Sequence, residues 1–274
     1  MSLTLKLLAV LPRKALSHFV GYLVHLESPQ WFSHWLKSRL IKSLKINPSE
    51  AEFDLDHYVS FGAFFSRRLK PGARPISSSQ FVSPCDGQLQ SFEEITSGKL
   101  LQAKGIEYSL NDFLGSSEGM EKYLGGTAIT IYLAPDNYHR VHYPIDMSVL
   151  KSQKVAGDLW PVNKQSVNAI HPLFCLNERW IVEGEVKDKG QLAIVMVGAT
   201  NVGKMELFHL DVNQFSEGDV IHLHENEIAR KKGEELGVFH MGSTVILLLD
   251  RNLSDHCKMN LHEGPVVCSE SIGD

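Results

Sequence analysis

The stretch Phe239-His240-Met241-Gly242-Ser243-Thr244, continuing as Val245-Ile246-Leu247-Leu248-Leu249, holds the clearest structural signal in the chain. Its apolar run is short and β-branched at the start, and it follows a glycine, so it predicts a fully buried strand. Gly242 has no Cβ, which permits strained dihedrals and leaves its carbonyl open to close approach. Ser243 then stands at the mouth of a rigid strand, with its Oγ placed to attack the carbonyl just before it. On these residues alone a plain turn into a core strand is the ordinary reading, because Gly-Ser is a common turn pair.

Working outward, short strands are predicted at 87–92, 128–133, 180–186, 192–197 and 220–223, with one short helix at 108–114. Turn residues separate these strands and long helices do not, which implies an antiparallel sheet system and an α+β fold. Residues 61–69 read as a helix end, and Lys70-Pro71-Gly72-Ala73-Arg74-Pro75 as a loop. Further upstream, Pro12 breaks a Leu- and Val-rich stretch into two helical pieces, and Phe19, Val20, Leu23 and Val24 share a face of the second. Another helix is predicted after Ser28-Pro29. At helical spacing it places Phe32, Trp35, Leu36, Leu40 and Leu44 on one side and His34, Lys37, Lys42 and Lys45 on the other. Aromatic and leucine residues opposite lysines suit a helix lying in a membrane interface. The expected organisation is an amphipathic, membrane-associating region at 1–57 and a β-rich domain at 58–274.

The composition of the 274 residues, 43% hydrophobic and 22% charged, is that of a globular protein. The formal net charge of −5 divides unevenly: residues 1–50 carry +5 and the remainder −10. A basic arm on an acidic body argues against nucleic acid as a partner and fits an arm held at an anionic membrane. Cys85, Cys175, Cys257 and Cys268 show no metal spacing and suggest free thiols in a reducing compartment. No apolar run approaches the ~20 residues that span a bilayer. The expected location is peripheral, on the cytosolic face of the cell membrane.

Three further stretches carry candidate chemistry. Residues 197–205 nearly spell a phosphate-binding G-x-x-x-x-G-K-[ST] loop, but Met205 offers no hydroxyl and no helix start follows. That stretch reads as a loop between two strands. Ala134-Pro135-Asp136-Asn137-Tyr138-His139-Arg140-Val141-His142-Tyr143-Pro144 gathers two histidines, an arginine and two tyrosines at a strand end. His139 and His142 suit general base chemistry, and a zinc site lacks a third ligand at clear spacing, so no metal is expected. Ser83-Pro84-Cys85-Asp86-Gly87 sets a carboxylate in a tight turn before a strand, where an Asp-Gly hairpin turn is the plain alternative. A serine, a histidine and an aspartate together suit a charge relay, in which Asp orients His and His deprotonates Ser.

These residues resemble the pyruvoyl-dependent phosphatidylserine decarboxylases. The resemblance runs through Phe64-Phe65-Ser66-Arg67, Leu69-Lys70-Pro71-Gly72-Ala73-Arg74-Pro75-Ile76 and Pro84-Cys85-Asp86-Gly87. It continues through Leu101-Gln102-Ala103-Lys104-Gly105, Tyr138-His139-Arg140-Val141-His142, Asn177-Glu178-Arg179, Val197-Gly198-Ala199-Thr200 and Gly242-Ser243-Thr244. It implies self-cleavage at Gly242-Ser243 by the relay Asp86, His142 and Ser243, giving a large chain 1–242 and a small chain 243–274. A pyruvoyl group formed from Ser243 would then take the substrate amine as a Schiff base, release CO₂ and yield phosphatidylethanolamine. His139 is implied as proton donor or phosphate contact, with Tyr138 and Arg140 as substrate contacts, and a homodimer is the usual state. Met241, Cys85 and Asn137 depart from the family's commoner Leu, Ala and Asp. The competing readings are a histidine-dependent metallohydrolase and a membrane-binding module in which Gly242-Ser243 is only a turn.

Overall fold

The computed structural model describes residues 13–103, 106–116, 119–200, 205–210, 228–240 and 242–274. The predicted strand at 220–223, the first helical piece before Pro12 and Met241 lie outside the described residues. Among the described residues three helices come first: α1 (Arg13–Val24), α2 (Gln30–Leu44) and the short α3 (Phe61–Phe65). Fifteen strands follow: β1 (Phe81–Val82), β2 (Gly87–Glu94), β3 (Lys99–Ala103), β4 (Ile106–Ser109), β5 (Thr127–Leu133), β6 (Arg140–His142), β7 (Met147–Val155), β8 (Arg179–Val186), β9 (Gly190–Val197), β10 (Met205–Leu207), β11 (Ile228–Arg230), β12 (Glu235–Phe239), β13 (Ser243–Leu249), β14 (Gly264–Val266) and β15 (Ser271–Gly273).

Among the described residues the main sheet has the order β11-β7-β8-β9-β13-β5-β2-β14 and is antiparallel throughout. The α+β reading with a predominantly antiparallel core is therefore correct. β13 lies inside this sheet, laddered to β5 from Ser243 opposite Leu133 to Leu249 opposite Thr127, and to β9 from Thr244 opposite Val197. All seven of its residues are buried, which is why its sequence shows no apolar-polar alternation. A separate three-stranded sheet, β10-β12-β6, carries His142 on β6 and leads at the end of β12 to His240. The stretch after Val197 does connect two strands, β9 and β10, and Glu206 and Leu207 extend in β10 where the phosphate loop would need a helix.

The polar residues of the family motifs between the strands mostly close backbone. Arg179 is buried and donates to the carbonyls of Asp112, Phe113, Cys175 and Asn177. Asn177 ties Trp160 to Gly198, and Gln102 ties residues 167–173 to β3. Buried carbonyls without donors are costly, so these side chains serve the fold rather than the chemistry.

The helices form a second, smaller core of Val24, Ile41, Ile46, Ala51, Tyr58, Phe61, Phe64 and Phe65, which draws residues from both sides of position 57. α2 departs from its predicted faces at one position. Lys37, placed by periodicity on the solvated side, is buried and donates to the carbonyls of Leu55 and Tyr58 at 2.6 Å each. Trp35, on the side read as the membrane face, is 55% exposed, and Trp31 beside it is 73% exposed, so the departure lies in Lys37 alone. The long lysine stem carries its ammonium to two carbonyls, of which Leu55 O also accepts from Tyr58 N at 3.3 Å, and the small core closes around it. Lys37→Met is expected to lower unfolding stability by about 1–3 kcal/mol, because Tyr58 O loses its donor and Leu55 O keeps only the bond from Tyr58 N. Urea unfolding measures this, and an unchanged midpoint would show that water takes their place.

Candidate active site

The site forms where the end of β5, the 134–139 loop, β6 and the β12–β13 junction converge. Ser243 begins β13 and is fully buried, and its Oγ has no hydrogen-bond partner; the same holds for Thr244 Oγ1. An unpaired buried hydroxyl is uncommon, and one beside a predicted scissile bond is a candidate nucleophile. The strained backbone expected at Gly242 is absent, since its φ lies outside the left-handed region. A Cβ there would meet Leu133 O at 3.4 Å and Pro135 Cγ at 3.9 Å, both ordinary contacts.

His139 is buried, with both ring nitrogens unpartnered and its edge against the Phe65 ring at 4.1 Å. Burial, with the nearby Arg67 and His240 charges, pushes its pKa down to about 3, so the ring is neutral at physiological pH. Its carbonyl accepts from Phe239 N, which fixes it beside the residues leading to the cleavage site. The unfolded chain takes up a proton near the ordinary 6.5 and the folded chain near 3. This residue therefore contributes stability above pH 6.5 that is lost as pH falls toward 3. On going from pH 7.5 to pH 5 the unaltered protein is expected to lose about 2 kcal/mol more unfolding free energy than His139→Phe. Equal losses in the two proteins would rule out a neutral, buried ring.

His142 is held at both nitrogens. Nδ1 lies 2.8 Å from Gly233 O and Nε2 3.0 Å from Tyr138 Oη. A carbonyl only accepts, so Nδ1 carries the proton and Nε2 accepts from the Tyr138 hydroxyl. Burial holds the His142 pKa below the ordinary value and the Tyr138 pKa above it. Asp86 accepts from both Arg74 Nε (2.9 Å) and Arg74 Nη2 (2.6 Å), and from Cys268 N at 2.8 Å. It is not in a hairpin turn, because β1 pairs with β15 while β2 pairs with β5 and β14. The charge of Asp86 is felt at His142 without a hydrogen bond between them, and neither reaches Ser243 Oγ. Of the three residues predicted to form a relay, the structure links Asp86 with His142 through charge and joins neither to Ser243 Oγ.

Arg140 donates to Ser66 O and Glu235 and lies over the Phe208 ring at 5.1 Å, so its guanidinium is engaged within the protein. Asn137 closes its own loop by accepting from Ala134 N. Sequence reasoning missed His240 and Arg67. His240 Nδ1 lies 3.3 Å from His25 Nε2, and its Nε2 lies 3.3 Å from Glu206 Oε1. This contact brings the end of α1 against the stretch that carries the predicted scissile bond.

The family model described as phosphatidylserine decarboxylase matches residues 61–274. The chain belongs to the phosphatidylserine decarboxylase family. Curated relatives named phosphatidylserine decarboxylase proenzyme agree over nearly its whole length. That of Myxococcus xanthus (strain DK1622) is 38% identical over 249 residues, covering 90% of this chain and 89% of the relative. That of Coxiella burnetii (strain RSA 493 / Nine Mile phase I) is 37% identical over 276 residues, covering 98% and 96%. That of Brevibacillus brevis (strain 47 / JCM 6285 / NBRC 100599) is 39% identical over 247 residues, covering 88% and 87%. The match to the family model includes Phe64–Arg67, Asp86, His139, His142, Gly242 and Ser243.

Proposed function

We propose that this chain is the precursor of a carboxy-lyase that converts phosphatidylserine to phosphatidylethanolamine and CO₂, on a pyruvoyl group made from Ser243. The observation that carries this reading is the buried, unpartnered Ser243 Oγ at the start of a central strand, directly after Gly242. Ser243 Oγ attacks the Gly242 carbonyl carbon, and the peptide link moves from nitrogen to oxygen as an ester. β-Elimination then releases the Gly242 carboxylate, and hydrolysis of the resulting enamine frees ammonia and leaves a keto-acyl terminus.

Removing the Ser243 proton needs a base. His142 Nε2 has the lone pair, and it must exchange the Tyr138 hydroxyl for that of Ser243 before it takes that proton. Asp86, ion-paired with Arg74, stabilises the imidazolium that results. The ordered part of the site fits the group to be formed: Gly242 adds no side chain beside it, and no protein donor occupies the Ser243 position. The pyruvoyl group supplies an electron sink for the departing carboxylate. His139, neutral and free at both nitrogens, relays the proton that replaces the carboxylate at the substrate Cα, one ring nitrogen donating as the other takes a proton from water. Tyr138 and Arg140 flank this position as substrate contacts. Mass spectrometry of the C-terminal fragment tests the reading directly, since it distinguishes a keto terminus at 243 from an intact serine amide.

After cleavage the small chain 243–274 stays bound to 1–242. Burying Val245 to Leu249 contributes on the order of 10 kcal/mol, and all five side chains are fully buried. The body acts at an anionic membrane as a peripheral protein on the cytosolic face, and as a homodimer. The basic balance of residues 1–50 and the exposed Phe19, Tyr22, Trp31 and Trp35 support the membrane contact. No helix among the described residues is long and apolar enough to cross a membrane. Removing residues 1–45 would strip Ile41 from the small core, so surface substitution is the cleaner probe. Trp31→Ser with Trp35→Ser is expected to weaken binding to phosphatidylserine-containing vesicles by about tenfold. Unchanged cosedimentation would remove α2 from the contact.

A further inference from the structure

A cleft of about 360 Å³ opens between the helical unit and the β12–β6 sheet, lined by Arg67, Arg68 and Arg140 and rimmed by Phe53 and Val59. Two of the three arginines are compensated, since Arg68 and Arg140 share Glu235. Arg67 is not. It is only 4% exposed, its Nε and Nη1 have no hydrogen-bond partner, and its one ring contact is with Phe64 at 4.8 Å. Asp86 and Glu50 are the carboxylates whose charge reaches it, and both are engaged by Arg74. A buried guanidinium left without an anion is among the costliest arrangements a fold can keep. Its charge also reaches the His139 ring, so it adjoins the site where the proton is delivered. Phe53 (46% exposed) and Val59 (51%) add an apolar lip at the mouth of this basic cleft.

We propose that this cleft is the subsite for the substrate's phosphodiester, with Arg67 taking the anion and Phe53 and Val59 meeting the glyceride beyond it. The inference rests on the proposed reaction and assigns the recognition element that reaction needs. A serine phospholipid offers two anions. The carboxylate must leave as neutral CO₂, so a buried cation paired to it would stabilise the ground state more than the transition state and slow the step. The phosphodiester keeps its charge throughout, so pairing it with Arg67 anchors the headgroup without that penalty.

The test uses the uncut Ser243→Ala chain, in which binding is read without turnover, so that it stands or falls apart from the decarboxylation itself. The probes are glycerophosphoethanolamine, inorganic phosphate and ethanolamine, followed by calorimetry. Glycerophosphoethanolamine is expected to bind, ethanolamine not to, and Arg67→Gln or Arg67→Lys in that chain to weaken the phosphodiester by about 10- to 100-fold. Unchanged binding in both Arg67 variants overturns the proposal, as does inorganic phosphate binding as tightly as the phosphodiester or ethanolamine binding as well. Thermal unfolding without ligand gives the second readout. Arg67→Met is expected to match or exceed the unaltered protein, because it removes an unpaired buried charge. A fall in Tm of about 4 °C or more, or failure of the variants to fold, assigns Arg67 to the scaffold and overturns the subsite.

Discussion

Ser243→Ala is expected to leave a single chain on a denaturing gel and to reduce CO₂ release from phosphatidylserine to background, while the unaltered protein runs as chains 1–242 and 243–274. The effect is total because one side chain serves twice in the proposed reaction: its oxygen is the nucleophile for the cut and leaves with the Gly242 carboxylate, and the carbons left behind become the keto-acyl terminus. Misfolding does not offer an alternative explanation. The hydroxyl is buried and makes no hydrogen bond, and such a group costs about 1–3 kcal/mol to bury. Alanine fits the same space, so the variant is expected to unfold no earlier than the parent. A Ser243→Ala protein that still splits, or that stays whole yet releases CO₂, would falsify the role of this residue. An uncut wild-type chain that hydrolyses a phosphoester with added metal would instead favour a metallohydrolase.

His139→Ala is expected to separate the two activities. Self-cleavage should proceed, because the ring has no hydrogen bond to any described residue, and the relay residues find their partners elsewhere. Decarboxylation should fall by about 10²–10⁴ in kcat, the usual contribution of a positioned proton donor or acceptor. The ring's environment makes the prediction specific. An imidazole held neutral by burial and left with two free nitrogens is poised for a group that arrives with the substrate. A single band on the gel for His139→Ala would move this residue into the cleavage relay.

The strands of the main sheet were legible because burial on both faces writes an unbroken apolar run, as in Val245 to Leu249, and flanking turn residues mark its ends. The helical arm was legible as helix but not in the placement of Lys37. Periodicity counts Lys37 as polar and sends it outward, whereas the packed structure needs a donor for Leu55 O and Tyr58 O. Candidate residues near one another in sequence, such as Tyr138, His139 and His142, stood out by density. Those that act across the fold did not. The contact of His25 with His240 spans 215 positions, and the isolation of Arg67 depends on Arg74 having claimed Asp86 and Glu50. No local pattern records which of several carboxylates an arginine will find.

The placement of residues 243–274 has a consequence for how the protein ages. Their strands are distributed, with β13 inside the main sheet, β14 at its edge and β15 against β1. Before the cut, the chain refolds as one molecule and at a rate independent of dilution. The proposed cut at Gly242-Ser243 would turn the same architecture into a two-component association, with recovery from full unfolding second order and a Tm that depends on concentration. Maturation thereby makes the fold easy to keep and hard to regain.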